Sequence, residues 1–372
     1  PYIAPFQGNI TELCPVGALT SYTYRFRARP WDIEQGGSVC TLCPSQCNVS
    51  FTIRDAKVTR VLARDNPEVD DGWLCDKGRY GYQAMYSLDR VMNPVRFEGG
   101  NPVPASWPEA LGIAAEALSS AGPRTAALVG DASNEEGFLV QSLVREGLGS
   151  ADIDSRRAPG ADRNTLSALS QPEISARTID IDTADVVLVI GTDPIHSSPA
   201  FDLRIRKAVR RIRTALAVAT ERPSALDGGA TEVERYAPGG QASFLADLAT
   251  AVKNESDTGI AGMLRGADEA VIVWGERIGR GESGADALAS LLDVADGLDM
   301  AGKGESGLIE IPEVANARGL REVGCLPDAG PGLSETTNGR DVEQIRAAVE
   351  SGEIESLLLF GVDPLRDFPD TD

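Results

Sequence analysis

The chain has 372 residues, of which 42% are hydrophobic, and this supply of apolar side chains excludes a disordered protein. Its 56 acidic and 35 basic side chains give a net charge of −21, which argues against binding to a nucleic-acid backbone. The sequence has no apolar run of about 18 residues, the length that a membrane-spanning helix needs. At about 150 residues per domain, the length predicts two or three domains.

The first part of the chain has the patterns of short strands. Polar and apolar residues alternate over 48–54 and 57–63 across the turn Asp55-Ala56, which predicts a β-hairpin. Residues 1–33 carry no periodicity of helix length, and residues 34–92 are predicted to form a small β-rich unit. Because residue 1 is Pro and no signal peptide precedes the fold, we expect the sequence to be a piece of a longer chain.

From about residue 93, short apolar strands alternate with amphipathic helices. Capping boxes at Ser106 and Ser133 predict two helix starts. Because continuous apolar strands are buried on both faces, residues 93–372 are predicted to form a doubly wound parallel α/β sheet. The last strand should lead into another helix, so we also expect a truncated C-terminus. The predicted strands are 125–130, 186–191, 215–220, 271–275 and 357–361, and the predicted helices are 106–120, 134–147, 199–213, 244–252, 284–296 and 341–350.

Two segments of the α/β part have similar sequences. Residues 188–194 and 358–364 both read as a strand followed by Gly, a variable residue, Asp and Pro. A duplicated α/β half would produce this pattern, and so would a common way of leaving a strand. The sequence leaves both explanations open.

Five of the six cysteines lie in the first 75 residues. A disulfide framework does not suit a long chain whose remainder holds one Cys, so the clustered thiols indicate a metal and a reducing compartment. Cys40, Cys43, Cys47 and Cys75 have the spacing C-x2-C-x3-C-x27-C, in which one loop supplies three thiolates and a distant turn the fourth. This spacing favours a [4Fe–4S] cluster over unliganded thiols and over zinc, which is more often bound by separated C-x2-C pairs or by His.

Two further residues are candidates for a role at a cluster. Lys77 follows Cys75 by two positions, so its charge would stabilise a reduced cluster; the alternative is a solvated surface lysine. Cys14 is followed by Pro, like the remote ligand of ferredoxin-type clusters, whose other thiolates come from a separate tight run. The sequence has no such run, so Cys14 is either a plain thiol or a ligand whose three partners lie upstream of Pro1.

The sequence resembles one family of iron–sulfur subunits of bacterial NADH–quinone oxidoreductase, respiratory complex I, namely its G subunits. The likeness is carried by residues 1–33, with Leu-Cys-Pro-Val-Gly at 13–17, by Leu-Cys-Asp-Lys-Gly-Arg at 74–79 and by residues 316–324. The cysteine module, residues 133–136 and residues 191–194 also resemble the molybdopterin oxidoreductase superfamily. The likeness is most specific in the first 85 residues and looser over 220–310.

The resemblance implies an iron–sulfur subunit that passes electrons from NADH toward quinone in a proton-translocating complex. It implies that Cys14 is the last ligand of a [4Fe–4S] cluster in the main relay and that Cys40, Cys43, Cys47 and Cys75 hold an additional [4Fe–4S] cluster off that path. Residues 1–33 would be the tail of an upstream ferredoxin-like iron–sulfur domain. The implied partners are the other subunits of the peripheral arm, on the cytoplasmic side of the plasma membrane, with no membrane span and no nucleic acid.

No molybdenum cofactor is expected in the α/β part. In the formate dehydrogenases, which share this architecture, a Cys or selenocysteine binds molybdenum in the loop after the helix that corresponds to 134–147. Here that loop, 152–160, contains neither Cys nor His, and Arg156 aligns with the ligand position. A guanidinium stays protonated and cannot bind a metal, although a shift of one residue would offer Ser155. We therefore predict no catalytic residues in this chain and no substrate site of its own.

The weaker patterns have structural interpretations. The G-x-G-x-x-G motif at 279–284 follows its strand at a delay, so a flexible helix entry is favoured over a dinucleotide site. His196 is expected to be exposed or at a helix entry, and Cys325 to be a small buried residue. A basic run at helical spacing is typical of a solvated face, with contact to an acidic neighbouring subunit or a remnant nucleotide-phosphate surface as alternatives. That run comprises Arg204, Arg206, Lys207, Arg210, Arg211 and Arg213.

Two other functions stay open at this point. One is a true molybdenum oxidoreductase such as a formate dehydrogenase large subunit, which a metal assay distinguishes. The other is a non-redox scaffold with a structural zinc site, which iron content and the visible spectrum distinguish.

Overall fold

The computed structural model describes residues 4–367, so the first three residues of the predicted segment 1–33 and the last five of 93–372 lie outside the described residues. Among the described helices, none is long and apolar enough to cross a membrane. The strands are β1 (Glu34–Val39), β2 (Asn48–Arg54), β3 (Lys57–Ala63), β4 (Val95–Glu98), β5 (Asn101–Pro104), β6 (Thr125–Val129), β7 (Ile153–Asp154), β8 (Val186–Ile190), β9 (Ala215–Thr220), β10 (Glu232–Arg235), β11 (Ala270–Gly275), β12 (Gly307–Ile311), β13 (Ala329–Gly330), β14 (Ser334–Glu335) and β15 (Ser356–Phe360). The α-helices are α1 (Asn9–Leu13), α2 (Asp76–Tyr80), α3 (Trp107–Ala121), α4 (Asn134–Ser142), α5 (Arg163–Leu169), α6 (Pro194–Ser197), α7 (Pro199–Lys207), α8 (Gln241–Lys253), α9 (Gly259–Arg265), α10 (Gly284–Gly297), α11 (Ala317–Glu322), α12 (Val342–Glu350) and α13 (Pro364–Asp367).

The chain divides into two compact units, each discontinuous in sequence. The first comprises Pro1–Tyr82 and Gly160–Ala315, and the second comprises Gln83–Pro159 and Asn316–Asp372. The segments predicted from the sequence, 1–33, 34–92 and 93–372, are each continuous, so they divide the chain differently from these two units. Their boundaries stay a prediction.

In the first unit, β1, β2 and β3 form a three-stranded antiparallel sheet. β2 and β3 are the predicted hairpin, and its turn residues Asp55 and Ala56 have φ angles of 50° and 57°. Two positive φ angles match the turn to the right-handed twist of the flanking strands. Apolar side chains from this sheet and from the segment before α2 form one core with the cysteines; its buried members are Cys40, Cys47, Val49, Val61, Leu74 and Ala200.

The first unit also contains a five-stranded parallel sheet in the order β10-β9-β8-β11-β12. All five residues of β8 are buried at its centre, as expected for a parallel strand covered on both faces. Phe201 and Ile205 of α7 pack against β8, β9 and β11 in one core. The predicted strands 186–191, 215–220 and 271–275 are confirmed as β8, β9 and β11. The two edge strands were not predicted, since β10 alternates charged residues and β12 carries a glutamate.

The second unit contains a parallel sheet in the order β15-β6-β7. The α/β prediction is therefore confirmed, with the parallel strands divided between two sheets. α4 begins with the predicted capping box, because the Glu136 N–H donates to Ser133 Oγ and the Ser133 N–H donates to the Glu136 carboxylate. At Ser106 only the serine half of the box forms, because Glu109 pairs with Arg96 instead.

The two segments with similar sequences also share a backbone conformation. In each, a parallel strand is followed by a glycine with a φ of 65°, Gly191 or Gly361, and then by a short helix, α6 or α13. A Cβ on Gly275 would lie 2.6 Å from the Gly191 oxygen, and a Cβ on Gly130 would lie 2.4 Å from the Gly361 oxygen. Duplication and a common way of leaving a strand would both produce this close approach, so both explanations stay open.

Candidate metal centre

Two separate segments of the first unit bring four cysteines together. Cys40 follows β1, Cys43 lies in the next loop, Cys47 precedes β2, and Cys75 precedes α2. The Cys40 N–H donates to the Cys47 carbonyl oxygen at 2.8 Å, which closes the loop. All four cysteines are buried, from 3% exposed at Cys47 to 9% at Cys40, so little water reaches the sulfur atoms.

The four thiols lie close enough that each pair interacts electrostatically. Burial raises the pKa of Cys40, Cys47 and Cys75, and the charges of neighbouring thiolates raise these pKa values further. The three thiols therefore resist ionisation at neutral pH, and a cationic centre is needed to stabilise them as thiolates. Four soft sulfur donors at a dry site suit an iron–sulfur cluster.

Among the described residues, the cysteines do not form a site for a single metal ion. Within residues 4–367, no three His, Cys, Asp or Glu side chains converge as the ligands of one metal ion do. The thiolates that hold a [4Fe–4S] cluster bind different iron atoms, so they surround a volume rather than a point.

Gly78 lies against two of the thiols. Its N–H donates to Cys75 Sγ at 3.5 Å. A Cβ at this position would lie 3.3 Å from Cys40 Sγ and 2.8 Å from the Leu74 side chain, so the site needs a glycine here. The residue was not predicted, although a glycine three positions after a candidate ligand is a signal of close backbone approach.

Lys77 contributes a positive charge near the cysteines, and Asp70 contributes a negative one. Lys77 Nζ donates to the Leu42 carbonyl oxygen at 2.7 Å, and its positive charge lowers the pKa of Cys40 and Cys75, against the effect of burial. Asp70, which was not predicted, is buried, accepts the Gly72 N–H at 3.0 Å and raises the pKa of Cys47. Lys77 is therefore exposed, and its ammonium group is bonded to the cysteine loop.

Cys14 is a half-exposed thiol at the end of α1. Backbone N–H groups lower its pKa, with the Leu19 N–H contributing most and those of Ala18, Val16 and Gly17 also contributing. Backbone donors around a sulfur atom stabilise the thiolate, which is the form that binds a metal.

In the second unit, an ion pair occupies the loop that was compared with a molybdenum-binding loop. Asp154 is fully buried, and its carboxylate accepts bonds from Arg156 Nε at 2.9 Å and Nη2 at 3.0 Å. The Val342 N–H at the start of α12 donates to the same carboxylate. Ser155 Oγ is buried and has no hydrogen-bond partner among the described residues. The Arg156 guanidinium is thus engaged with Asp154, whereas the Ser155 hydroxyl is not engaged.

The interpretations of His196, Cys325 and the G-x-G-x-x-G motif are confirmed by position. The basic run is not a uniformly solvated face, because Arg204 is buried and pairs with Asp182. His196 is exposed in α6. Cys325 is fully buried, and its thiol donates to the Gly137 carbonyl oxygen at 3.3 Å. The G-x-G-x-x-G motif ends at Gly284, where α10 begins, so the motif is a helix entry.

Comparison with known proteins identifies the family. Residues 90–371 match the molybdopterin oxidoreductase family, and residues 37–87 match the molybdopterin oxidoreductase Fe4S4 domain. The acetylene hydratase from Pelobacter acetylenicus has a similar fold, with a TM-score of 0.54 at 14% identity over 76% of this chain and 43% of that chain.

Curated relatives confirm the resemblance to the complex I subunits. Over its whole length the chain is 35% identical to the G subunit of the NADH-quinone oxidoreductase of Mycobacterium tuberculosis and covers 48% of it. It is 30% identical to NADPH-Fe(3+) oxidoreductase subunit alpha of Geobacter sulfurreducens and covers 50% of it. The chain spans about half the length of the curated relatives it matches. Because one family match extends over most of the sequence, the chain belongs to the molybdopterin oxidoreductase family.

Proposed function

We propose that the chain is part of an iron–sulfur electron-transfer subunit of NADH–quinone oxidoreductase and that Cys40, Cys43, Cys47 and Cys75 hold a [4Fe–4S] cluster. The observation that carries this proposal is the meeting of four buried thiols from two segments within residues that match an Fe4S4 domain. The whole-chain similarity to a mycobacterial NADH-quinone oxidoreductase subunit supports the choice of complex.

Hydrogen-bond donors and a positive charge surround the cysteines, and both would stabilise the extra negative charge of a reduced cluster. When bound, a [4Fe–4S] cluster accepts and releases one electron at a time. The backbone N–H of Gly78 donates to Cys75 Sγ, and the backbone of Leu42 donates toward Cys40. Together with the charge of Lys77, these donors would favour the reduced state, while burial keeps water from the sulfur atoms.

Cys14 is proposed as the remote ligand of a second [4Fe–4S] cluster, one that lies on the main electron path. The backbone donors around its sulfur atom support this role because they favour the thiolate. Its three partner thiolates would come from elsewhere in the complete polypeptide. The cluster of Cys40, Cys43, Cys47 and Cys75 would lie off that path.

The α/β part is proposed to have no substrate site of its own and no molybdenum. Arg156, at the position compared with a molybdenum ligand, is bound to the buried carboxylate of Asp154. The proposed partners are therefore redox proteins rather than a small substrate: the other subunits of the peripheral arm of a proton-translocating complex, on the cytoplasmic side of the plasma membrane.

Replacing one cysteine tests the cluster assignment. In the full-length protein, purified anaerobically, Cys43→Ala should remove the broad visible absorbance of this cluster and lower the iron content by about four atoms per chain. Cys325→Ala is the matched control, since Cys325 is also buried but lies in the second unit. Equal iron in the two variants, or stoichiometric zinc and no iron in the wild type, would contradict the assignment.

The similarity to a ferric-reducing enzyme subunit favours a second candidate function, electron transfer from NADPH to ferric iron. Both functions need the same cluster but differ in their electron donor and acceptor. The intact complex, assayed with each donor against a quinone and a ferric chelate, distinguishes them. About one molybdenum atom per chain, together with formate oxidation, would instead favour a molybdenum oxidoreductase.

A further inference from the structure

A cationic cavity lies beside α7 in the first unit, and none of the cysteine ligands lines it. Its volume is about 280 Å³. Apolar groups from Val69, Trp73, Ala200 and Leu203 contribute to its lining. Five basic side chains and two acidic ones complete it, namely Arg204, Arg206, Lys207, Arg210, Arg211, Asp70 and Asp71. We call these eleven residues the α7 basic cavity. We propose that it binds an acidic segment of a partner protein.

Most charges near the cavity are already paired within the first unit. Buried Arg204 donates to Asp182 at 2.8 Å, Arg206 pairs with Asp202 at 2.8 Å, and Lys207 pairs with Asp71 at 2.5 Å. The pairs of Arg204 and Lys207 join α7 to its surroundings, and the pair of Arg206 with Asp202 lies within the helix. They hold the helix in place and leave little charge for a partner.

Two other arginines of the cavity differ from these residues because they are not paired within the described part of the chain. Arg210 and Arg211, in the π-helical turn Ala208–Ile212, are exposed and have no ion pair or hydrogen bond to the described residues. The neighbouring Ile212 is 50% exposed. In a protein with a net charge of −21, two adjacent unpaired guanidinium groups beside an apolar lining form a local site of the opposite sign.

The position in the fold argues against a nucleotide at this cavity. α7 follows the carboxyl end of β8 and returns toward the start of β9, so its last turn lies at the amino ends of the strands. Nucleotides bind to parallel α/β sheets outside the carboxyl ends of the strands. Stabilisation of the helix by cations at its C-terminus accounts for one or two arginines, but it does not account for the apolar lining.

The lining specifies the chemistry of the partner. Guanidinium groups bind carboxylates in a bidentate manner, and the cavity has room for one large apolar side chain. A nucleic-acid strand would leave the apolar lining unused, because its backbone presents phosphate groups to the arginines. The occupant that fits is a polypeptide segment with one aromatic or aliphatic residue flanked by Asp or Glu.

The cavity is continuous with the cysteine module, although the inference does not depend on the metal that the module binds. Trp73 lies two residues before Cys75, and Ala200 packs in the same core as Cys40 and Cys47. A partner bound at the α7 basic cavity would therefore contact the module that holds the four thiols.

Fluorescence anisotropy with the full-length protein tests the proposal. The probe is a fluorescein-labelled peptide of glutamates around one central phenylalanine, and a peptide with glutamines in place of the glutamates is its control. The wild type should bind the acidic peptide in a salt-dependent manner and bind the glutamine peptide far more weakly. The double variant Arg210→Glu/Arg211→Glu should bind the acidic peptide at least about tenfold more weakly, because two attractive contacts become repulsive.

The matched control is Arg222→Glu/Lys253→Glu, which makes the same charge change at two other exposed positions of the first unit and should alter the affinity less than about twofold. Trp73→Ala should weaken binding of the phenylalanine peptide but not of the same peptide with a central glycine. Equal losses in the two double variants, or no binding of the acidic peptide by the wild type, would overturn the proposal. So would tighter binding of a thymidine oligonucleotide or of phosphatidylserine vesicles through Arg210 and Arg211.

Discussion

Gly78 leaves no space for a methyl group. A Cβ there would meet the fully buried Leu74 side chain at 2.8 Å, so Gly78→Ala should cost about 1–3 kcal/mol of stability and loosen the cysteine site. Gly112→Ala is the control, because Gly112 lies on exposed α3 with nothing within 4 Å of a Cβ, and it should be neutral or stabilising by up to about 1 kcal/mol. Denaturant unfolding and the rate at which visible absorbance fades in air measure both effects. Similar behaviour of the two variants would contradict the close packing.

The residues that could be predicted at the cysteine site are those whose chemistry is visible in sequence spacing. Cys40, Cys43 and Cys47 identify one loop, and Lys77 is placed by its distance from Cys75. Asp70 could not be found this way, because its influence on Cys47 arises only when the two segments meet in the fold. The packing around Gly78 likewise depends on Cys40, which is distant in sequence.

At the scale of secondary-structure elements, β7 has only two residues, so its strand pairing is short and side-chain bonds contribute much of what holds it in place. Asp154 of β7 joins Arg156 and the start of α12. Arg156→Met would leave this buried carboxylate without its cation and should cost about 3–5 kcal/mol near neutral pH. Urea unfolding measures the loss. Arg318→Met is the control; it breaks an ion pair with Glu322 that is 46% and 41% exposed, and it should cost less than about 1 kcal/mol.

The pH dependence separates a charge effect from a packing effect at Asp154. Burial raises the pKa of Asp154, and Arg156 opposes that rise. In Arg156→Met the folded-state pKa therefore lies above the unfolded value near 4. The stability deficit should be small below about pH 4 and grow as the pH rises toward the folded pKa. A deficit that is the same at about pH 4 and pH 7 would show that lost packing, rather than the unpaired charge, destabilises the variant.

Elements with a strong local signal were predictable, and elements defined by their neighbours were not. β6, β8 and β11 are continuous apolar runs, so the sequence alone indicates buried parallel strands. β7 has too few residues to show any period, and it exists because it pairs with β6. The predicted helix 199–213 is divided into α7 and a π-helical turn, since the hydrophobic period does not distinguish the two kinds of helix.

At the scale of the whole molecule, the sequence predicted one doubly wound sheet after residue 93, whereas the structure has two parallel sheets in different compact units. One sheet and two sheets produce the same alternation of strands and helices in the sequence. The alternation indicates which residues are buried locally, but it does not indicate which sheet a strand joins. The segment 160–315 lies within the first unit, which also contains the cysteine module. Such long-range grouping has no local sequence signal.

Two single cysteine variants test the proposed division of labour in the intact complex. A [4Fe–4S] cluster with three thiolates is incomplete, so Cys14→Ala should lose the relay cluster and abolish NADH-to-quinone electron flow. Cys47→Ala should harm assembly or stability more than electron flow, because its cluster is proposed to lie off the path. Electron paramagnetic resonance of each cluster, recorded alongside quinone reduction, makes the comparison. Full quinone reduction in Cys14→Ala, or its loss in a normally assembled Cys47→Ala complex, would show that the relay and side clusters are wrongly assigned.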